Sequence, residues 1–257
     1  MILRAYGDSW TEGQGFDITI ENTIKDREDL RILRNEYSWT KIVSNELNIP
    51  VVNRGFSGRS NNRIFNDLAS DIINGVVTKN DFVIVMWSST LRDIVPFFPD
   101  NQWICWSNIE LNESSSKFLH SNETNNNDYN NFLVNYKEFF IGELFTQDYY
   151  NIINQNYIIF LQKLLDNQGI KYLMFDGIES MIIDLVNNNR TEYIDKKYYW
   201  NFGKLNMKDY LKSLKRKDIY EPGKNWGSTH PNKLGYELIA SQILNFIQYS
   251  KVLDTPQ

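Results

Sequence analysis

Four short apolar runs, Ile2 to Tyr6, Pro50 to Asn53, Phe82 to Trp87 and Lys171 to Phe175, each break into polar or turn residues. Helical patterns lie between them, around Tyr37 to Leu47, Asn61 to Ile73 and Tyr149 to Leu165. Alternation of this kind requires crossover connections, which set neighbouring strands parallel and lay helices on both faces of the sheet. The expected fold class is therefore α/β. Ligands bind at the carboxyl ends of the strands in such sheets. Ser9, the Gly55 to Ser60 loop, Ser88 to Arg92 and Asp176 all fall at those ends.

One stretch breaks the alternation. From Asp93 to Asn130 the chain runs through Pro96, Phe97, Phe98, Pro99, Trp103 and Trp106 and then into a polar, Asn-rich segment from Ser121 to Asp128. Placed straight after a strand end, it reads either as a lid or substrate wall or as a surface excursion anchored by its aromatics. With 257 residues and 42% hydrophobic content, the chain is expected to form one domain over 1–257 with an insertion at about 93–130, burying roughly 70–75% of its unfolded surface. From Asn131 to Asn167 the pattern predicts two helices meeting near Gly142 or Thr146. Lys233 to Tyr249 carries Leu234, Leu238, Ile239, Ile243, Leu244 and Ile247 on one face, as a helix docked on the sheet would. Pro231 fits its first turn, with His230 at its entrance.

Charge and cysteine content narrow the function classes. The net charge is -5, and the one basic cluster, Lys212, Lys215, Arg216 and Lys217, reads as the solvated face of a helix, so nucleic acid is not an expected partner. No signal-like leader or membrane-spanning apolar run is present in the sequence, so the chain reads as cytoplasmic with no membrane partner. The lone Cys105, between Ile104 and Trp106, fits a reducing compartment and a small buried hydrophobe. Two His and one Cys offer no metal-ligand cluster, and His120 falls in the polar insertion. A flavodoxin-like nucleotide site is disfavoured because the first strand-helix loop lacks a Gly-rich phosphate cradle.

A serine hydroxyl attacks a carbonyl only when a base takes its proton and donors receive the oxyanion. Ser9 is the candidate nucleophile, His230 the base, and the backbone N–H groups of Ser9 and Gly58 the candidate oxyanion donors. Asp8 is expected to fix the turn by accepting backbone hydrogen bonds. The competing structural reading makes Ser9 a helix N-cap in a capping box with Glu12 and leaves His230 as a helix-entry residue bonded to backbone.

Gly7-Asp8-Ser9 after the first strand, Asn53-Arg54-Gly55-Phe56-Ser57-Gly58 after the second, and His230-Pro231 before the last helix resemble, in order and context, the blocks of the SGNH (GDSL-type) hydrolases. The resemblance implies a three-layer α/β/α fold, flavodoxin-like, with a central parallel sheet of about five strands. It also implies hydrolysis of esters, thioesters or O-acetyl groups without a cofactor. Two positions depart from the family pattern. Where the family carries an oxyanion-binding Asn after the third strand, this chain has Trp87-Ser88-Ser89-Thr90-Leu91-Arg92, so Ser89 or Thr90 is the substitute donor and Arg92 a substitute cation. Where the family carries an Asp three residues before the His, this chain has Gly227, leaving either a Ser-His dyad or an acid drawn from Glu221, Asp218 or Asp176. The expected substrate is a small-molecule or glycan ester, because the aromatic insertion suits a sugar, though tryptophans also accept an apolar acyl chain. The alternative is a catalytically degenerate binding or structural module. Oligomeric state is not legible.

Overall fold

The computed structural model describes residues 1–90, 92–97, 102–107, 147–180, 189–220 and 230–254; for 92–97, 102–107, 147–149 and 189 it describes the backbone alone. Elements follow in the order β1 (Leu3–Tyr6), α1 (Ser9–Glu12), α2 (Ile18–Glu21), α3 (Arg27–Tyr37), α4 (Trp39–Leu47), β2 (Val51–Asn53), α5 (Asn61–Ile73), β3 (Phe82–Trp87), β4 (Arg92–Phe97), β5 (Gln102–Ser107), α6 (Gln147–Asn167), β6 (Lys171–Asp176), α7 (Met207–Ser213) and α8 (Lys233–Ser250). Short 3₁₀ turns at Asn189–Tyr193 and Lys196–Tyr198 bridge β6 to α7.

Four strands form an all-parallel sheet in the order β2-β1-β3-β6, with Leu3 opposite both Val51 and Phe82, and Phe82 opposite Lys171. All four coincide with the apolar runs of the sequence. About five strands were expected, and four lie among the described residues. The sheet separates two apolar layers, as the period-2 geometry of a strand requires. Phe82, Ile84 and Met86 of β3 point with Leu3 and Ala5 of β1 into a cluster with Trp39 and Val43 of α4, Met207 and Leu211 of α7, and Tyr236, Ile239 and Ile243 of α8. Val83, Val85 and Trp87 point the other way with Tyr6, onto Ile64 and Leu68 of α5 and Ile158, Leu161 and Leu165 of α6. Every residue of β3 is fully buried, and each such large apolar side chain contributes roughly 1.5–3 kcal/mol. The result is a three-layer α/β/α arrangement.

Caps set the helix boundaries more finely than periodicity does. The pattern around Tyr37 to Leu47 begins at Trp39, because the Ser38 hydroxyl accepts from Lys41 N–H and divides α3 from α4. Helix α5 matches its expected span, with Ser60 as N-cap. Of the two helices expected over Asn131 to Asn167, α6 is the second; the first lies outside the described residues. Pro231 is not in the first turn of α8: Asn232 is the N-cap, accepting from Gly235 N–H, and Pro231 pairs instead with Tyr220. Only Lys212 of the basic cluster is helical. Lys215 turns left-handed at φ 54° and carries Arg216 and Lys217 into the turn beyond α7.

The stretch after β3 opens with an antiparallel ribbon, β4 against β5, in which Cys105 stands opposite Ile94. The rest of the insertion, including His120 and the Asn-rich segment, lies outside the described residues. No helix among the described residues is long and apolar enough to cross a membrane.

Candidate active site

The strand order reverses direction about β1: the chain moves from β1 to β2 on one side and to β3 on the other. A crevice opens at the carboxyl ends of the strands where such a reversal occurs. The turn after β1 carries Ser9, and the turn after β3 carries Ser88; the two are joined by the buried Ser88 hydroxyl, which donates to Asp8 Oδ2 at 2.5 Å.

Asp8, not Ser9, is the N-cap of α1. Its Oδ1 accepts from Trp10 N–H at 3.0 Å and its backbone carbonyl accepts from Thr11 and Glu12. This is the turn-fixing role expected of Asp8, and it removes the capping-box reading of Ser9, because Glu12 is engaged elsewhere. Ser9 becomes the first helical residue, 3% exposed, with its side chain turned to the last helix. His230 Nε2 lies 2.9 Å from Ser9 Oγ, joining residues 221 positions apart.

The second turn runs alongside the first. Arg54 N–H donates to Ala5 O at 2.7 Å and Phe56 N–H to Gly7 O at 3.2 Å, continuing the β1-β2 ladder past its end. Gly55 is required by that approach, since a Cβ there would stand 2.5 Å from Glu12 N. Gly58 has φ +79° and open space where a side chain would project. Among the described residues the N–H groups of Ser9 and Gly58 donate to no acceptor.

Buried charge holds these turns together. Glu12, 5% exposed, accepts from Ser57 N–H at 2.6 Å through Oε2 and from Arg34 Nη1 at 3.2 Å through Oε1. Arg34 also binds Glu21 Oε2 through Nε at 2.9 Å and Nη2 at 2.6 Å, while Glu21 Oε1 accepts from Gly15 N–H at 2.5 Å. Removing Arg34 would leave two buried carboxylates uncompensated, a loss of about 3–5 kcal/mol for such a group. The same loop braces α8: Tyr236 Oη donates to Gln14 O at 2.6 Å and Lys233 N–H to Phe16 O at 3.1 Å. Burial raises the Tyr236 phenol well above its ordinary range, keeping it a neutral donor.

The remaining candidates go to other partners. The Ser89 hydroxyl donates to Glu179 Oε2 at 2.8 Å, and Thr90 binds the same oxygen through N–H at 3.2 Å and Oγ1 at 3.1 Å. The hydroxyls of Ser89 and Thr90, one or other of which was the expected substitute donor, both meet the Glu179 carboxylate. Asp176 accepts from Tyr199 Oη at 2.5 Å and from Ser180 Oγ at 3.4 Å; burial and that carboxylate push the Tyr199 phenol upward. Asp218 is exposed and paired with Arg216 at 2.6 Å, which lowers its carboxyl below the usual range. Arg92 opens β4 by its backbone, and Glu221 and Gly227 lie outside the described residues. No cluster with metal-ligand character occurs among the described residues.

Sequence reasoning did not find Arg34, Glu21, Glu179 or Asn61. Asn61 accepts from Ser88 N–H at 2.7 Å and donates to the carbonyls of Ser88 and Ser89, so it shapes the third turn from the start of α5. Nothing in the spacing announces these partners, which meet only through tertiary contact.

No protein-family model matches the sequence, and no curated protein matches it. Solved structures are similar over most of its length. A psychrotrophic esterase from Pseudoalteromonas sp. shares 13% identity at a TM-score of 0.49, covering 99% of this chain and 99% of its own. A lipolytic protein of the G-D-S-L family from Desulfitobacterium hafniense shares 14% at 0.46, over 95% of this chain and 98% of its own. A catalytic mutant of an acetylxylan esterase from Geobacillus stearothermophilus shares 16% at 0.46, over 96% of this chain and 93% of its own.

Proposed function

We propose that the chain is a serine esterase of the SGNH type, hydrolysing an acyl or O-acetyl ester through Ser9 and His230. The observation that carries this reading is the 2.9 Å contact of Ser9 Oγ with His230 Nε2; the N–H groups of Ser9 and Gly58, on adjoining turns, have no acceptor among the described residues. A helix-entry histidine bonded only to backbone has no need of that partner.

The chemistry follows from the geometry. His230 Nε2 takes the proton as Ser9 Oγ attacks the acyl carbon, and the N–H groups of Ser9 and Gly58 receive the oxyanion. His230 returns the proton to the leaving alcohol, and water then attacks the acyl-serine by the same route. Asp218 is exposed and paired with Arg216, so the imidazole is oriented by Glu221 or Asp176, or Ser9 and His230 act as a dyad. Phe56, 51% exposed and two residues from Gly58, offers a ring face for a sugar or an apolar acyl chain, with the Arg59 guanidinium 5.5 Å from its centroid.

The test is reaction of the whole protein with a fluorophosphonate, followed by peptide mass spectrometry. An adduct on Ser9 that disappears in His230→Ala is the expected result, and esters of increasing acyl length beside an acetylated oligosaccharide then define the substrate. A folded protein that takes no label overturns the proposal. One observation favours a second reading, a non-catalytic binding module: Glu179 occupies the donors of the third turn. That reading predicts oligosaccharide binding without turnover, unchanged in Ser9→Ala.

A further inference from the structure

The oxyanion donors proposed above belong to two different turns, and one side chain spans them. Glu12 closes the helix that Ser9 begins, and its Oε2 accepts the N–H of Ser57, the residue immediately before Gly58, at 2.6 Å. The backbone at Gly58 is left-handed and its Cβ direction is open; Arg59 N–H donates to Phe56 O at 3.2 Å and closes a turn over Ser57 and Gly58, but that bond is internal to the loop and does not tie it to the helix bearing Ser9. The hydrogen bond from Ser57 N–H to Glu12 makes that tie. Arg34 in turn fixes the carboxylate from α3 through Oε1 and is itself held at two nitrogens by Glu21. A second bond, from Ser57 Oγ to Gln14 Oε1 at 2.9 Å, ties the same residue to the loop that follows α1.

We infer that Glu12 is a positioning residue, with Arg34 as its orienting partner: the pair sets the Ser57–Gly58 backbone against the helix bearing Ser9, so that both oxyanion donors converge on one point. This inference rests on the esterase reading for its catalytic meaning, but the coupling of Glu12 to the second turn is a property of the fold. An oxyanion donor acts only where the charge develops, so a displaced donor slows the chemical step without weakening ground-state binding. A carboxylate that only stabilised the fold would leave kcat unchanged in any variant that remained folded.

The experiment compares Glu12→Gln, Glu12→Leu and Arg34→Lys with the parent protein by three readouts: kcat and KM on an activated acetate ester, the rate of fluorophosphonate labelling at Ser9, and amide hydrogen exchange over residues 54–60. Glu12→Leu is expected to lower kcat and labelling about a hundredfold with KM within threefold, and to speed exchange at Ser57. Glu12→Gln retains a neutral acceptor and is expected to recover most of the loss. Arg34→Lys, which keeps the charge but not the fork, should fall between them. Equal labelling and kcat in a folded Glu12→Leu protein, or unchanged exchange over 54–60 in all three variants, overturns the inference. A parent protein inert to ester and probe overturns the esterase reading instead, and exchange alone then decides whether Glu12 holds the second turn.

Discussion

The turns after β1 and β2 and the turn after β3 meet the same crevice and treat their hydrogen-bond donors in opposite ways. In the first two, side chains do the internal binding: Asp8 caps α1, Glu12 binds Ser57, and the N–H groups of Ser9 and Gly58 are left without acceptors among the described residues. In the third, the donors themselves are engaged, Ser89 and Thr90 by Glu179 and the Ser88 N–H by Asn61. A hydroxyl near a site is thus no evidence of a role in it until its existing acceptor is known. The difference also locates rigidity, since a turn whose donors are satisfied internally is held in place, whereas open donors must be held by their neighbours.

Three substitutions probe that contrast. Ser9→Ala should have the largest effect, abolishing hydrolysis by roughly 10⁴-fold or more while circular dichroism and melting temperature stay near the parent's; substantial residual turnover would move the nucleophile elsewhere. Gly58→Ala should come next. A side chain at φ +79° costs about 1–2 kcal/mol of backbone strain, and a shifted N–H should lower kcat about a hundredfold, so stopped-flow kinetics with a thermal melt would show both losses. The paired change Ser89→Ala and Thr90→Val should have the smallest kinetic effect, under about threefold in kcat, with stability falling by roughly 1–3 kcal/mol as Glu179 loses donors. A hundredfold drop in kcat from that pair would erase the distinction between the turns, because it would mean that the hydroxyls leave Glu179 for the oxyanion during reaction.

How much of this was legible in the sequence follows the range of the interactions. The strands were readable because each is a compact apolar run, and β3, buried on both faces, carries no polar residue at all. The Ser9–His230 contact and the left-handed Gly58 fall where local chemistry marks the sequence: a Gly-Asp-Ser turn, a glycine in a polar loop, and a His-Pro step before a helix. In the third turn the sequence did not show the acceptor. Ser89 and Thr90 have the right groups at the right strand end, but their acceptor arrives from Glu179, beyond β6. Arg34 was invisible for the same reason, since its partners Glu12 and Glu21 lie on other helices and its own segment looks like an ordinary charged surface helix. Sequence periodicity reports which face of an element is apolar, and it is silent on which charged side chain closes a network across elements.

The separation of Ser9 from His230 by nearly the whole chain carries a consequence for biosynthesis. During translation Ser9 emerges 221 positions ahead of His230, so until the later segment is made the serine is an ordinary alcohol in the turn after β1. His230 lies just before α8, whose Tyr236, Ile239 and Ile243 are buried in the core, so on the esterase reading the base reaches Ser9 together with the docking of that helix. On the esterase reading, completion of that apolar layer and arrival of the base beside Ser9 thus depend on the same late segment of the chain.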